Sequence, residues 1–155
     1  MVMTMIYSIR LKELREEKEL KQYDLSKMLG FARQVYGNFE RENTIIPIKY
    51  LNILANYFQV SFDYLFGFVS NRSYIISNND INKDLMRERL RELRKEYKLS
   101  QKELAYAINV APSTISDYER KAKVIATPFL YDICRKYKYS ADYLLGKINE
   151  PKYIK

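Results

Sequence analysis

LSQKELAYAINVAPSTISDYER, residues Leu99 to Arg120, reads as two short helices joined by a tight turn. Ser100 can cap the first helix, and Glu103, three residues on, completes a capping box with it. Leu104, Ala107 and Ile108 then fall on one helical face. Asn109 tolerates the left-handed conformation that ends a helix, so Val110 can turn inward before Pro112 opens a second helix at its first position. In that second helix Ile115 and Tyr118 face the core, while Ser113, Ser116, Asp117 and Arg120 share the opposite side. A polar helix face with no apolar residue calls for a polar partner.

The same pattern stands 79 residues earlier, without a gap, as LKQYDLSKMLGFARQVYGNFER from Leu20 to Arg41. The chain is an internal duplication. Leu11, Leu14 and Arg15 recur as Leu90, Leu93 and Arg94; Gln22 and Leu25 as Gln101 and Leu104; Glu40 and Arg41 as Glu119 and Arg120; and Asp63, Tyr64, Leu65 and Gly67 as Asp142, Tyr143, Leu144 and Gly146. Each copy is about 60 residues, a size that buries only ~60% of the surface its unfolded chain exposes.

Each copy resembles a lambda-repressor-like domain of the Cro/cI type, the Xre family, over roughly residues 9 to 67 and 88 to 146. The residues that carry the likeness are Leu99-Ser100-Gln101 with Glu103-Leu104, then Ser113 to Ser116, Tyr118-Glu119-Arg120, and the closing run Ser140 to Gly146. The resemblance implies an all-α chain of two tandem five-helix helix-turn-helix domains, residues 1–69 and 83–155, joined by a linker at 70–82. It also implies that the third helix of each domain lies in the major groove of double-stranded DNA.

Residue roles follow from the same likeness. Arg15 with Glu40, and Arg94 with Glu119, are expected as ion pairs tying helix one to the third helix. Gln22 and Gln101, at the first position of helix two, correspond to phosphate-binding positions in the family. Ala32 and Ala111 replace the serine or threonine that usually caps the third helix, and Glu42 and Lys121 replace the glycine that often ends it. A different final turn is expected there.

The first copy's third helix is expected over Arg33 to Arg41, with Tyr36 and Phe39 inward and Arg33, Gln34, Gly37, Asn38 and Arg41 outward. Arginine can grip guanine O6 and N7, and Gln and Asn pair with adenine N6 and N7. Gly37 is the odd residue, since a mid-helix glycine costs ~1 kcal/mol relative to alanine. It admits close approach of DNA or a partner helix, or else marks a weak spot. In the second copy Ser113, Thr114 and Ser116 read bases loosely, and Asp117 can accept from cytosine N4. Arg41, Arg120, Lys121 and Lys123 are placed for phosphates, which fix register without reading sequence.

The remaining segments are scaffold. Helix one of the first copy is expected over Ile9 to Lys18, preceded by an apolar stretch, Met1 to Tyr7, for which a strand, a strap over the core and a dimer contact all stay open and a simple packing arm is the first expectation. Lys21 stands where the second copy has the capping Ser100, so helix two is less well capped at its start. Pro47 and Pro128 open the fourth helices, and Ser61 and Ser140 cap the fifth. Most of the fifteen tyrosines recur at apolar helical positions and are read as packing. The linker is rich in Ser and Asn, yet Tyr74, Ile75 and Ile76 interrupt it, and a trio of that kind predicts packing on a domain or a short strand.

Composition narrows the function. The chain carries 27 Lys and Arg against 19 Asp and Glu, a net charge of +8 that suits a polyanion. Residues 1–70 hold nine basic and eight acidic residues, a net of +1, whereas residues 81–155 hold seventeen and ten, a net of +7. The expected division has the second copy supply phosphate affinity and the first supply sequence choice. There is no histidine, and Cys134 stands alone. The usual general bases, zinc clusters and cysteine–histidine nucleophile pairs are thereby removed, so no enzyme, metal or cofactor is expected. Cys134 aligns with Ala55 and is read as a small buried hydrophobe. No apolar run reaches the ~20 residues of a membrane span, which points to the cytoplasm, with the nucleoid as the place of action.

The leading expectation is a sequence-specific transcriptional regulator that represses by occluding a promoter, acting as one chain or as a homodimer. The alternative is a protein-interaction or antitoxin-like module, in which one copy serves dimerisation or holds a protein partner. Gly37 and the weak cap at Lys21 favour such a loss of DNA reading in the first copy.

Overall fold

The structure, a computed structural model, describes residues 2–121 and 123–155, with side chains described from Ile6 onward. Met1, with which the expected arm and first domain begin, lies outside the described residues. The chain forms two compact units, Met1–Ser73 and Tyr74–Lys155. Five helices build the first: α1 (Val2–Glu17), α2 (Gln22–Met28), α3 (Val35–Glu40), α4 (Ile48–Phe58) and α5 (Phe62–Leu65). Five build the second: α6 (Lys83–Glu96), α7 (Gln101–Ala107), α8 (Pro112–Arg120), α9 (Thr127–Tyr137) and α10 (Ala141–Leu144). Among the described residues the one extended pairing is an isolated antiparallel bridge between Tyr139 and Tyr153. The protein is all-α, two tandem five-helix helix-turn-helix domains, as the duplication predicts.

The apolar stripes meet inside each unit. Leu11, Leu14, Leu25, Tyr36, Phe39, Leu51, Leu54, Ala55, Phe62 and Leu65 are buried in the first, and Leu90, Leu93, Leu104, Ile115, Tyr118, Leu130, Ile133 and Leu144 in the second. Cys134 fills the position of Ala55 and is fully buried. The tyrosines are less uniform than expected. Tyr106 is 89% exposed on α7, and Tyr23, Tyr97 and Tyr153 are also well exposed.

Local signals explain the helix ends. Ser100 Oγ accepts the Glu103 N–H at 3.0 Å while the Glu103 carboxylate accepts the Ser100 N–H at 3.0 Å, closing both halves of the capping box. At Lys21 only the return half exists, the Asp24 carboxylate accepting the Lys21 N–H at 3.1 Å, because an ammonium has no lone pair to offer. Ser61 and Ser140 cap α5 and α10 through the Tyr64 and Tyr143 N–H groups. Asn109 takes the left-handed conformation at φ 58°, where the first unit has Gly30 at φ 73°. The third helices end differently. Glu42 turns left-handed at φ 61°, whereas Lys121 stays extended at φ −99°, ψ 152°.

Three expectations shift. The stretch before Ile9 is not a separate arm: α1 starts at Val2, since nothing in Met1 to Tyr7 breaks a helix and methionine favours one. Pro47 caps α4 from outside, while Pro128 lies inside the first turn of α9, two positions out of register with its counterpart. Residues 70–82 attach to one unit or the other. Arg72 O accepts the Ser61 N–H at 2.7 Å in the first unit, and the Ser77 and Asn78 N–H groups donate to Lys147 O at 3.0 and 3.2 Å in the second. These backbone bonds hold the segment on its units, with Tyr74 and Ile76 half-buried and Ile75 96% exposed, so the trio packs in part and forms no strand.

Candidate nucleic-acid interface

The ion pairs are the same in both units. Arg15 Nε and Nη2 donate to Glu40 Oε2 and Oε1 at 2.9 and 2.7 Å, and Arg94 Nε and Nη2 donate to Glu119 Oε2 and Oε1 at 2.8 and 3.0 Å. Each arginine also donates Nη1 to the carbonyl that precedes helix two, Leu20 O at 2.7 Å and Leu99 O at 3.0 Å. A planar fork with five donors can serve the carboxylate and the turn at once. Helix one is thereby tied to the helix-two start and to the third helix, which fixes the angle of the whole motif. Gln22 and Gln101 add Nε2 bonds to the same glutamates at 3.1 and 3.3 Å. Burial alone would raise the Glu40 pKa; the hydrogen bonds from Arg15 and Gln22, with the Arg15 charge, more than offset it and hold the carboxyl below its ordinary range.

The outer surfaces differ. On the second unit, α8 runs nine residues from Pro112 to Arg120, with Ile115, Tyr118 and Glu119 buried. Ser113 is exposed, and Thr114, Ser116 and Asp117 are half-buried along its outer side. Ser116 Oγ accepts from Arg120 Nε at 3.1 Å, and the Asp117 carboxylate lies 3.2 Å from Lys121 Nζ and 3.8 Å from Arg120. Lys121 and Lys123 are exposed just beyond the helix. Ala111 offers α8 no side-chain cap, as its methyl dictates.

On the first unit the expected helix is shorter. It begins at Val35, so Arg33 and Gln34 sit in the preceding turn instead of on the helix, both exposed. The Arg33 guanidinium lies 5.1 Å from the Tyr23 ring centroid. Gly37 is not outward-facing and open: it is buried. Arg41 covers it, donating Nη1 to Gln22 Oε1 at 3.0 Å and Nη2 to Asn38 Oδ1 at 3.1 Å. Asn43 Nδ2 reaches the same Asn38 oxygen at 3.3 Å. Gln22, Tyr23, Arg33, Gln34, Gly37 and Arg41 together line a cleft of about 220 Å³. The structure therefore brings Gln22, Arg33, Gln34 and Arg41 to one place, and gives Asn38 two partners within the unit.

Sequence reading missed four arginines that support these helices. Arg10 Nη1 donates to Tyr64 O and, at 3.0 Å, to Val69 O; Arg89 Nη1 donates to Tyr143 O and to Ile148 O. They clamp the ends of α5 and α10, and each guanidinium stacks on the tyrosine ring it serves, at 4.3 and 3.9 Å. The 79-residue offset between Arg10 and Arg89 was the signal that could have found them. Arg87 and Arg91 are particular to the second unit. They donate to Arg120 O and Glu119 O at 3.1 and 2.8 Å and so satisfy the last carbonyls of α8. In the first unit Ser8 Oγ does this for Phe39 O at 3.3 Å.

Comparison with known proteins agrees with this geometry. One helix-turn-helix family model matches residues 11–65, and a second, described as a helix-turn-helix domain, matches residues 88–150. The uncharacterised HTH-type transcriptional regulator YobD of Bacillus subtilis (strain 168) is 39% identical over 62 residues, 40% of this chain and 55% of that protein. The HTH-type transcriptional regulator ImmR of the same organism is 38% identical over 60 residues, 39% of this chain and 47% of that protein. The chain thus spans about half the length of the curated relatives it matches. No solved structure matches it. With one matched domain in each compact unit, the chain belongs to the Xre-like helix-turn-helix proteins and carries two such motifs in tandem.

Proposed function

We propose that this protein binds double-stranded DNA in a sequence-specific way and regulates transcription, as a repressor that occludes its promoter, with α8 entering the major groove. The observation that carries the reading is the outer side of α8. It presents Ser113 exposed and Thr114, Ser116 and Asp117 half-buried, and the exposed Lys121 and Lys123 flank its end. Short hydroxyl and carboxylate side chains on a rod of this width suit base edges, and lysines beside it suit the phosphate ridge. A net charge of +8 supports a polyanionic partner, and the names of the two Bacillus relatives support regulation of transcription. No helix among the described residues is long and apolar enough to cross a membrane, which agrees with action in the cytoplasm, on the nucleoid.

The test is selection of bound duplexes from random DNA, followed by fluorescence anisotropy on the recovered sequence across a salt series. Binding is expected to weaken by roughly 0.9 log units per phosphate contacted for each log unit of salt. Ser113→Ala and Asp117→Ala are expected to relax the recovered motif at the positions they read. A protein that retains no duplex, or binds with a flat salt response, overturns the reading and leaves the interaction module in its place.

A further inference from the structure

The first unit's outer surface carries a feature that its counterpart lacks, a guanidinium seated on a glycine. A Cβ built on Gly37 would stand 2.8 Å from Arg41 Nη1, 3.1 Å from Nη2 and 2.9 Å from Gln22 Oε1. Any other residue there would have to push the guanidinium and the glutamine amide aside. The second unit shows the alternative. Ser116 occupies the equivalent position, Arg120 bonds to its hydroxyl through Nε, and Arg120 leans toward Asp117 with Gln101 left to Glu119 alone. Gly37 thus lets Arg41 lie flat across the helix, held from two sides by neutral oxygens, Gln22 Oε1 and Asn38 Oδ1. Among the described residues no carboxylate pairs with Arg41, so its charge is oriented without being neutralised, and it lines the same cleft as Arg33.

Resting on the DNA-binding reading above, we infer that this cleft is a seat for a single phosphodiester, with Arg41 and Arg33 as its cations and Gly37 as the positioning residue that makes the seat. The first unit then adds affinity and fixes register, and discrimination between sequences falls to α8. This reverses the division that the charge count suggests. The reason is that net charge does not locate the phosphate contacts: at the end of α8 Arg120 and Lys121 both lie against the Asp117 carboxylate, whereas the Arg41 guanidinium is held by neutral oxygens. Asn38, the side chain best suited to reading adenine, spends its oxygen on Arg41 and Asn43.

The test uses the full chain and the duplex it selects. Arg41→Ala is expected to lower the salt slope by about 0.9 and weaken binding about fivefold at ~0.15 M salt, equally on selected and random duplexes, with the selected motif unchanged. Gly37→Ala keeps a helix-compatible residue, so its circular dichroism and melting should stay native-like. It is expected to reproduce the slope loss through the displaced guanidinium, and to add nothing when combined with Arg41→Ala. A changed motif in the Arg41→Ala protein, or an unchanged slope in either variant, overturns the phosphate seat while leaving DNA binding by α8 standing. If the wild-type chain binds no duplex, the DNA-binding reading fails and takes this one with it.

Discussion

Glu40 shows how much of this fold hangs on single polar groups. Its carboxylate is almost fully buried, takes both arms of Arg15, and receives Gln22 as well. Removing one partner of such a pair leaves the other charge uncompensated, so Arg15→Met is expected to cost ~3 kcal/mol, read by chemical denaturation. The pH dependence has a definite sign. The Glu40 pKa is lower folded than its ordinary 4.5, so the pair's contribution is complete above pH 4.5 and is lost as the pH falls through the folded value. The stability gap between wild type and Arg15→Met should therefore narrow on acidification. A gap that stays constant with pH would show that packing, and not charge, carries the effect. Beside this pair the Tyr36 hydroxyl is buried without a hydrogen bond of good geometry, where the second unit has Ile115. Burial, with the Glu40 charge, pushes its pKa far above the usual range. Tyr36→Phe is expected to leave stability unchanged or raise it by up to ~1 kcal/mol, since an unsatisfied hydroxyl is removed. A clear fall in melting temperature would mean that the hydroxyl supports Glu40.

At the scale of the helix, the two copies test the same design with different residues. The start of α7 has a reciprocal capping box and the start of α2 has half of one. Lys21 already holds the extended conformation of a cap, at φ −84°, ψ 159°. Lys21→Ser should accordingly stabilise the chain by ~1 kcal/mol, and Ser100→Ala should destabilise it by a similar amount. Thermal melts of both variants check the pair, and a null result for Lys21→Ser would show that Asp24 alone satisfies the helix start. These helices were readable from the chain because capping residues, apolar spacing and the turn at Asn109 all point the same way. The third helix of the first copy was not. Its length depends on where the Phe31 to Gln34 turn yields to helix, and its face depends on a long-range seat for Arg41 that only folding creates. Gly37 signals something unusual in the sequence, but its partner at Gln22 becomes a neighbour only when α2 and α3 cross.

For the molecule as a whole, the duplication was the most informative signal, since a gapless offset of 79 residues gives the element order, the cores and the ion pairs together. What it hides is divergence inside the shared frame. Around the fifth helix the first unit uses rings: Phe62 meets Phe66 edge to face and Phe66 meets Phe68 at a tilt, at centroid distances of 6.0 and 5.6 Å. The matching positions in the second unit are Ala141, Leu145 and a fully buried Lys147, whose pKa burial lowers. That unit then secures its following segment by charge. Lys152 Nζ lies 2.6 Å from Glu92 and 2.9 Å from Glu96, and the Tyr153 hydroxyl donates to Glu96 at 2.7 Å. In the first unit the corresponding clasp is one surface pair, Arg72 with Glu17. Periodicity cannot distinguish a ring from an ammonium at an inward position, which is why this difference escaped the reading of the chain.

The aromatic collar of one half and the ionic collar of the other answer differently to acid. Protons do nothing to contacts between phenyl rings, but they discharge carboxylates such as Glu96, whose pKa stays below 4.5 because Lys152 and Tyr153 outweigh its burial. Lys152→Met is accordingly expected to lower the melting temperature at neutral pH and to change it little well below pH 4.5, a pattern that scanning calorimetry across pH checks.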